Sequence, residues 1–173
     1  MTIRVLLADD QAMIRASLRI ILEDQPDISV VAEASDGAEA VALARRLRPD
    51  VCLVDIQMPR LDGVEVTRVL AGPGVPDPLR VIVVTTFDLD EYVCGTLRGG
   101  AVGFVLKDAG PVLLVEAVRA IARGRTNQEI ADELFISLST VKGHIPGIQA
   151  KLGVRNRVEI AGWAWENRIV GTA

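Results

Sequence analysis

Carboxylates stand at the ends of two apolar segments near the start of the chain. Asp55 directly follows the apolar residues Val51–Val54, and a turn-forming stretch comes after it. The pair Asp9 and Asp10 follows another apolar segment in the same way. Because open α/β sheets bind ligands at the carboxyl ends of their strands, the three acids are expected to meet at one sheet edge. Oxygen ligands of this kind suit Mg²⁺, and a cation held there would support phosphate chemistry.

Elements able to place these acids follow one another regularly through residues 1–123. Short β-branched segments alternate with helical patterns, which predicts a parallel sheet covered by helices on both faces. The predicted strands are 3–9, 28–33, 51–55, 81–86 and 102–107, and the predicted helices are 11–23, 37–47, 63–71, 90–98 and 111–123. Five such units favour a flavodoxin-like doubly wound α/β fold with strand order 2-1-3-4-5.

Two further polar side chains, Thr85 and Lys107, stand at the ends of the fourth and fifth predicted strands. In the order 2-1-3-4-5 they share a crevice with the three acids. Asp55 can then attack a phosphoryl group as a carboxylate nucleophile, while a cation, the hydroxyl and the ammonium group stabilise the developing charge. Taken singly, an aspartate before a helix is frequently only an N-cap, and a lysine is frequently a surface residue. Their occurrence together at successive strand ends favours a functional site.

Residues 1–123 resemble the receiver domain of two-component response regulators. The segments that carry the resemblance are Leu7–Asp10, Val54–Gly63, Val84–Asp88 and Gly103–Asp108. The resemblance implies that Asp55 accepts a phosphoryl group from a histidine kinase. It also implies that Asp10 binds Mg²⁺ directly and that Asp9 binds it through water.

The same resemblance assigns roles to four further residues. Gln57 supplies a backbone carbonyl oxygen to the cation, and Lys107 pairs with the phosphate. Thr85 is the hydroxyl that turns towards the phosphate, and Phe104 is the aromatic side chain that moves into the vacated space. Aspartyl-phosphate hydrolases need an acid two residues after the nucleophile, where this chain has Gln57, so an enzyme acting on a separate substrate is not expected.

The pattern changes after residue 123, where predicted strands give way to short predicted helices at 127–134, 138–151 and 156–168. Residues 124–173 resemble a LuxR/NarL-type helix-turn-helix, and the segments that carry this resemblance are Gly124–Leu134, Ser137–Ile145 and Lys151–Arg157. The prediction is therefore a receiver domain, 1–123, followed by a small all-α DNA-binding domain of shortened length, 124–173. The candidate DNA contacts are Ser139, Thr140, Lys142, His144 and Lys151.

Two features of the tail depart from that family. A linker and a scaffold helix normally precede the helix-turn-helix, whereas here the last predicted helix of the receiver runs directly into it. Pro146 lies inside the predicted recognition helix, where a proline costs about 3 kcal/mol and kinks the helix. Either helix 111–123 doubles as the missing scaffold, or the tail is partly molten.

Two functions remain open at this point. The leading hypothesis is a transcriptional regulator that couples phosphate on Asp55 to DNA binding or homodimerisation, with Trp163 and Trp165 as candidates for burial. The alternative is a receiver protein without sequence-specific DNA binding, which acts by protein contacts as a phosphate sink or a sequestering partner.

Composition and charge fit an intracellular signalling protein. The net charge of -4 divides into -5 for residues 1–124 and +1 for the remainder, which is weak support for nucleic-acid binding. With a single histidine, Cys52 and Cys94 cannot complete a zinc ligand set, and both are expected to be reduced thiols. The sequence has neither a signal-peptide pattern nor an apolar stretch long enough to span a bilayer, so a cytoplasmic location is expected.

Overall fold

Five parallel strands form one sheet in a computed structural model, which describes residues 1–86 and 95–124 of the chain. The strands are β1 Ile3–Ala8, β2 Ile28–Ala34, β3 Val51–Val54, β4 Val81–Thr85 and β5 Gly103–Leu106. Their order is β2-β1-β3-β4-β5, and every neighbouring pair is parallel. The predicted flavodoxin-like doubly wound fold is therefore confirmed.

The helices occupy the intervals between the strands. They are α1 Ala12–Glu23, α2 Gly37–Leu47, α3 Gly63–Ala71, α4 with described residues 95–98, and α5 Pro111–Ala122. Wherever the start or end of a predicted strand or helix lies among the described residues, it agrees with the observed one to within one residue. The start of the predicted helix 90–98 and the three predicted helices after residue 124 lie outside the described residues.

Side chains alternate between the two faces of the sheet and build two separate cores. On one face, Leu22 of α1 and Val118 of α5 pack with strand residues such as Leu53. On the other face, Ala44 of α2 and Val66 of α3 pack against the remaining strand side chains. Strand β4 is buried along its whole length, as predicted for a central strand with helices on both sides.

Two aspartates followed by glycine begin helices, as their position in the sequence indicated. Asp36 accepts a hydrogen bond from the backbone N–H of Glu39 at 2.8 Å at the start of α2. Asp62 and Glu65 form a reciprocal capping box at the start of α3, with distances of 2.8 and 3.0 Å. These acids therefore satisfy helix termini.

Gly63 is a packing requirement for the segment that carries Asp55. A Cβ atom on Gly63 would lie 2.3 Å from the Asp55 carbonyl oxygen and 2.7 Å from the Ile56 Cα. We expect Gly63→Ala to displace this segment and to lower the free energy of unfolding by about 1–3 kcal/mol, measured by urea denaturation. Gly95→Ala is the matched control, because its Cβ would make only an ordinary contact at 3.4 Å with Val64. Equal stability of the two variants would contradict this packing role.

Candidate functional site at the sheet edge

Three aspartates lie together at the carboxyl edge of the sheet. Each of Asp9, Asp10 and Asp55 offers a carboxylate oxygen, and these oxygens lie within 4.8 Å of one another. Adjacent strands bring them together, since the backbone N–H of Asp55 donates to the Ala8 carbonyl oxygen at 2.8 Å. Asp9 and Asp55 are buried, with 1% and 6% of their surface exposed, whereas Asp10 is exposed. The predicted meeting of the three acids is what the structure has.

Lys107 enters this acidic cluster from the end of β5. Its Nζ lies 2.5 Å from Asp9 Oδ2 and 3.4 Å from Asp55 Oδ2. The loop that carries it is fixed by a hydrogen bond from its backbone N–H to the Thr85 carbonyl oxygen at 3.0 Å. Only 10% of the lysine side chain is exposed, so the ammonium group is largely removed from water.

Asp9 and Asp55 each have one carboxylate oxygen that accepts a hydrogen bond from a backbone N–H. Asp9 Oδ1 accepts from the backbone N–H of Gln11 at 2.8 Å, and Asp55 Oδ1 accepts from the backbone N–H of Ile56 at 2.8 Å. In the part of the chain that the structure describes, Asp9 Oδ2 is the one buried side-chain oxygen or nitrogen without a directed hydrogen bond. Its partner is the ammonium group of Lys107 at 2.5 Å, so this oxygen is compensated by charge rather than by a backbone N–H.

Formal charge at the site favours a divalent cation. At their formal charges, three carboxylates and one ammonium group sum to -2, and two of those carboxylates, Asp9 and Asp55, are buried. Buried charge is costly unless it is compensated, and a hard divalent cation with oxygen ligands compensates this one. Among residues 1–86 and 95–124, this is the one group of three or more acidic, histidine or cysteine side chains close enough to hold a metal ion.

Burial raises the pKa of Asp55 to about 6, from its usual value of 3.8. The ammonium group of Lys107 opposes this rise, and the carboxylate of Asp9 adds to it. Asp55 is therefore mostly ionised at pH 7, although its charge is poorly solvated. A carboxylate in that state gains from any cation or hydrogen-bond donor brought to it.

Thr85 and Phe104 lie on one face of the sheet beside the acids. Val83 pairs with Phe104 across the ladder, and Thr85 is two residues beyond Val83, so the side chains of Thr85 and Phe104 emerge from the same face. Thr85 is fully buried and Phe104 is 8% exposed, packed in the core on the side of α2 and α3. The two residues predicted to form a switch are thus close in the sheet.

An open cleft of about 340 Å³ adjoins the exposed side of the site. Its lining residues are Asp10, Ile56, Gln57, Met58, Pro59 and Asp62. Gln57 is exposed on this cleft beside Asp10. The cleft therefore opens the side of the site that carries Asp10 to solvent.

One contact at the site was not predicted from the sequence. Arg15 of α1 donates from Nη1 to the Asp9 carbonyl oxygen at 2.6 Å and so fixes the backbone of the acid pair. Its spacing from Asp9 carries no recognisable motif, and the signal lies only in its position on the first turn of a helix that follows the acids.

Several predicted features fall elsewhere. Cys52 is a buried free thiol in β3, and burial raises its pKa to about 12, which agrees with a structural thiol.

None of the helices in the described part of the chain is long and apolar enough to cross a membrane. The candidate DNA contacts Ser139, Thr140, Lys142, His144 and Lys151 lie outside the described residues, as do Cys94, Pro146, Trp163 and Trp165.

Two family models match the chain. The response regulator receiver domain matches residues 5–119, and the luxR family of bacterial regulatory proteins matches residues 115–164. The two matches overlap over residues 115–119.

Relatives in Bacillus subtilis (strain 168) match almost the full length of the chain. The transcriptional regulatory protein LiaR is 36% identical over 211 positions, which cover 97% of this chain and 99% of LiaR. The uncharacterized transcriptional regulatory protein YxjL is 34% identical over 214 positions, which cover 97% of each chain. Since 97% of 173 residues is about 168, about 46 of those 214 positions lie opposite gaps in this chain.

A solved structure supports the fold. The signal receiver domain of the putative response regulator NarL from Mycobacterium tuberculosis superposes with a TM-score of 0.68 at 35% identity. The match covers 72% of this chain and 98% of that domain.

Proposed function

This chain belongs to the two-component response regulators that join a receiver domain to a LuxR-type DNA-binding domain, and from that premise we propose that Asp55 is its phosphoacceptor. The observation that carries the proposal is the position of Asp55. It lies buried between a carboxylate pair and the ammonium group of Lys107, and its neighbours Asp10 and Ile56 line an open cleft. A histidine kinase is the expected phosphate donor.

In the proposed transfer, a carboxylate oxygen of Asp55 attacks the phosphorus of a phosphohistidine. The new O–P bond forms as the P–N bond breaks, and the electron pair of the broken bond stays with the imidazole nitrogen. Lys107 is already within 3.4 Å of Asp55 and is placed to pair with the phosphoryl oxygens. The chain would act on its own side chain, so we propose no reaction on a separate substrate.

Mg²⁺ is the cation that the acidic cluster fits best. Asp10 would hold it directly, Asp9 through water, Asp55 through its carboxylate, and Gln57 through its backbone carbonyl. The formal charge of the cluster and the spacing of its three carboxylate oxygens, which lie within 4.8 Å of one another, both support this assignment. When bound, Mg²⁺ supplies charge neutralisation for the transferring oxygens.

Thr85 and Phe104 are the proposed link from the phosphate to the rest of the chain. Phosphorylation adds a charge of about -1.5 to -2 and strong acceptor oxygens, which attract a nearby hydroxyl. Movement of the Thr85 hydroxyl towards the phosphate would change the space next to Phe104, because both side chains share one face of the sheet. The expected result is a two-state surface around β4 and β5.

DNA is the proposed target of the LuxR-type segment, in the cytoplasm. Ser139, Thr140, Lys142, His144 and Lys151 are the residues proposed to contact it. Contacts of this kind to phosphate give affinity that falls steeply as salt concentration rises. Homodimerisation in response to phosphate would bring two such segments to one DNA site.

A second function, in which the receiver acts by binding other proteins, is the alternative proposal, because the chain is shorter than its relatives. About 46 positions of the alignment with YxjL have no counterpart here, and Pro146 interrupts the predicted recognition helix. A receiver that binds other proteins, as a phosphate sink or a sequestering partner, would need neither an intact recognition helix nor a DNA target.

Selection from a randomised duplex pool distinguishes the two functions. We expect the chain treated with beryllofluoride and Mg²⁺ to enrich one sequence class and to bind it at least about tenfold tighter than untreated chain, in the range usual for allosteric coupling. Asp55→Asn should show no response to the treatment. Absence of enrichment at moderate salt, together with capture of a full-length response regulator by the treated chain, would favour the protein-contact function instead.

A further inference from the structure

Helix α5 is matched by both families. The receiver match ends at residue 119 and the luxR-family match begins at residue 115, so residues 115–119 in the middle of α5 are counted in both. The chain also lacks about 46 positions that its relative YxjL has. A single helix therefore occupies the position at which a complete receiver domain and a complete LuxR-type domain would each have a helix of its own.

The apolar side chains of α5 are already occupied by the receiver. Val115, Val118 and Ile121 are 4%, 0% and 6% exposed, and they pack with Leu114 in the core on the α1 side of the sheet. A side chain buried in one core cannot fill a second one at the same time. While α5 is docked, the buried residues of the overlap, Val115, Ala117 and Val118, are not available to the LuxR-type segment.

An ion-pair cluster fastens the exposed side of α5 to the receiver. Arg119 holds Asp27 with two contacts, Nη2 to Oδ1 at 2.7 Å and Nε to Oδ2 at 2.8 Å. It also donates to Gln25 Oε1 at 2.9 Å and to Glu116 Oε1 at 2.5 Å. Asp27 and Gln25 lie in the loop between α1 and β2, so the contacts join α5 to a part of the receiver that is distant in sequence. A planar guanidinium paired with a carboxylate in this way fixes orientation as well as charge.

We propose that α5 is a shared helix whose docking on the receiver withholds it from the LuxR-type segment, so that release of α5 increases binding to DNA. The inference rests on the proposed DNA binding and adds a regulatory step to it. If only the state with α5 released binds DNA, the apparent affinity scales with the population of that state. Each tenfold increase in opening of α5 should then bring about a tenfold increase in affinity, as long as the open state is a minority.

The test uses the full chain and three readouts on each variant. Asp27→Asn removes the charge that pairs with Arg119, and Val105→Ala removes packing from the receiver strand β5 beneath α5 while leaving the overlap itself unchanged. Hydrogen exchange of residues 111–122 measures opening of α5, binding to the enriched duplex measures DNA affinity, and acrylamide quenching of Trp163 and Trp165 follows the LuxR-type segment. These are the two tryptophans of the chain, so their signal comes from that segment alone.

Matched controls separate release of α5 from general loss of stability. Asp24→Asn changes an exposed carboxylate near the same loop, and Val66→Ala removes the same methyl groups from α3 on the opposite face of the sheet. We expect faster exchange in α5, tighter DNA binding and altered quenching in Asp27→Asn and Val105→Ala. The controls should leave affinity and quenching at the wild-type values.

Three outcomes decide the inference. Faster exchange in α5 of Val105→Ala without change in quenching or affinity would overturn it, and so would equal gains in Val66→Ala. Altered quenching in Asp27→Asn and Val105→Ala with no binding of any duplex would support the shared helix while removing DNA binding from the proposed function.

Discussion

Replacement of Asp55 by asparagine is expected to raise the free energy of unfolding of the metal-free protein by about 1–3 kcal/mol at pH 7. Folding raises the pKa of Asp55 from 3.8 to about 6, chiefly by burial. One pKa unit corresponds to about 1.4 kcal/mol, so the penalty for the ionised carboxylate in the folded state reaches about 3 kcal/mol at most, and solvent screening of the charge reduces it. Asparagine keeps the shape of the side chain and has no charge to bury.

The pH dependence gives the sign of this effect. Because the folded pKa is higher than the unfolded one, the folded state binds more protons between about pH 4 and pH 6. The wild-type protein therefore loses stability as pH rises through that window, and the advantage of Asp55→Asn appears there and is complete above it. Urea denaturation at a series of pH values measures the difference.

Mg²⁺ should reduce that difference, and an exposed acid provides the control. A ligand that binds only the folded state adds stability according to its concentration, and the wild-type site has one more carboxylate for the cation than the variant. Asp24→Asn at the exposed end of α1 should follow the wild-type curve at every pH. A metal-free Asp55→Asn chain less stable than the wild type at pH 7 would contradict this description of the site.

Lys107→Met is expected to have the opposite effect and to lower the free energy of unfolding by about 3–5 kcal/mol at pH 7. Lys107 Nζ contacts Asp9 Oδ2 at 2.5 Å and Asp55 Oδ2 at 3.4 Å, with only 10% of the side chain exposed. Removal of one member of a buried ion pair leaves the other charge without compensation. Lys107 also lowers the pKa of Asp55, so its loss should raise that pKa further and make the variant recover stability in acid.

A double-mutant cycle isolates the pair. Asp9→Asn removes the closest charge to Lys107, so Asp9→Asn combined with Lys107→Met should lose much less stability than the two single losses added together. Arg45→Met on the exposed face of α2 controls for loss of a cation in general. Additive losses in the cycle would mean that the two charges do not interact across the site.

The sequence predicted the parts of this protein that depend on local pattern. The strands that precede Asp9 and Asp55 were recognisable because apolar segments stopped at a carboxylate, and the alternation of elements favoured the strand order that the structure has. Arg15 and the pair Arg119 with Asp27 were not recognisable, because long side chains reach partners that no periodicity marks. Asp27 and Arg119 are separated by 92 residues.

Helix α5 illustrates a limit of a different kind. Its apolar residues run around much of the helix, and the sequence left open whether it serves the receiver or doubles as a scaffold for the tail. The structure places Leu114, Val115, Val118 and Ile121 in the receiver core, with Val112 at 76% exposure. The hydrophobic pattern of a helix predicts that its apolar face will be buried. Which part of the protein covers that face depends on tertiary packing, which the pattern does not contain.

The most direct test of the phosphoacceptor assignment is the mass of the intact chain after incubation with acetyl phosphate and Mg²⁺, followed by mapping of the modified peptide. The wild-type chain should gain one phosphoryl group located on Asp55, the gain should require Mg²⁺, and Asp55→Asn should gain none. Equal labelling of Asp55→Asn, or no labelling of the wild type while Mg²⁺ is bound, would contradict the assignment of Asp55.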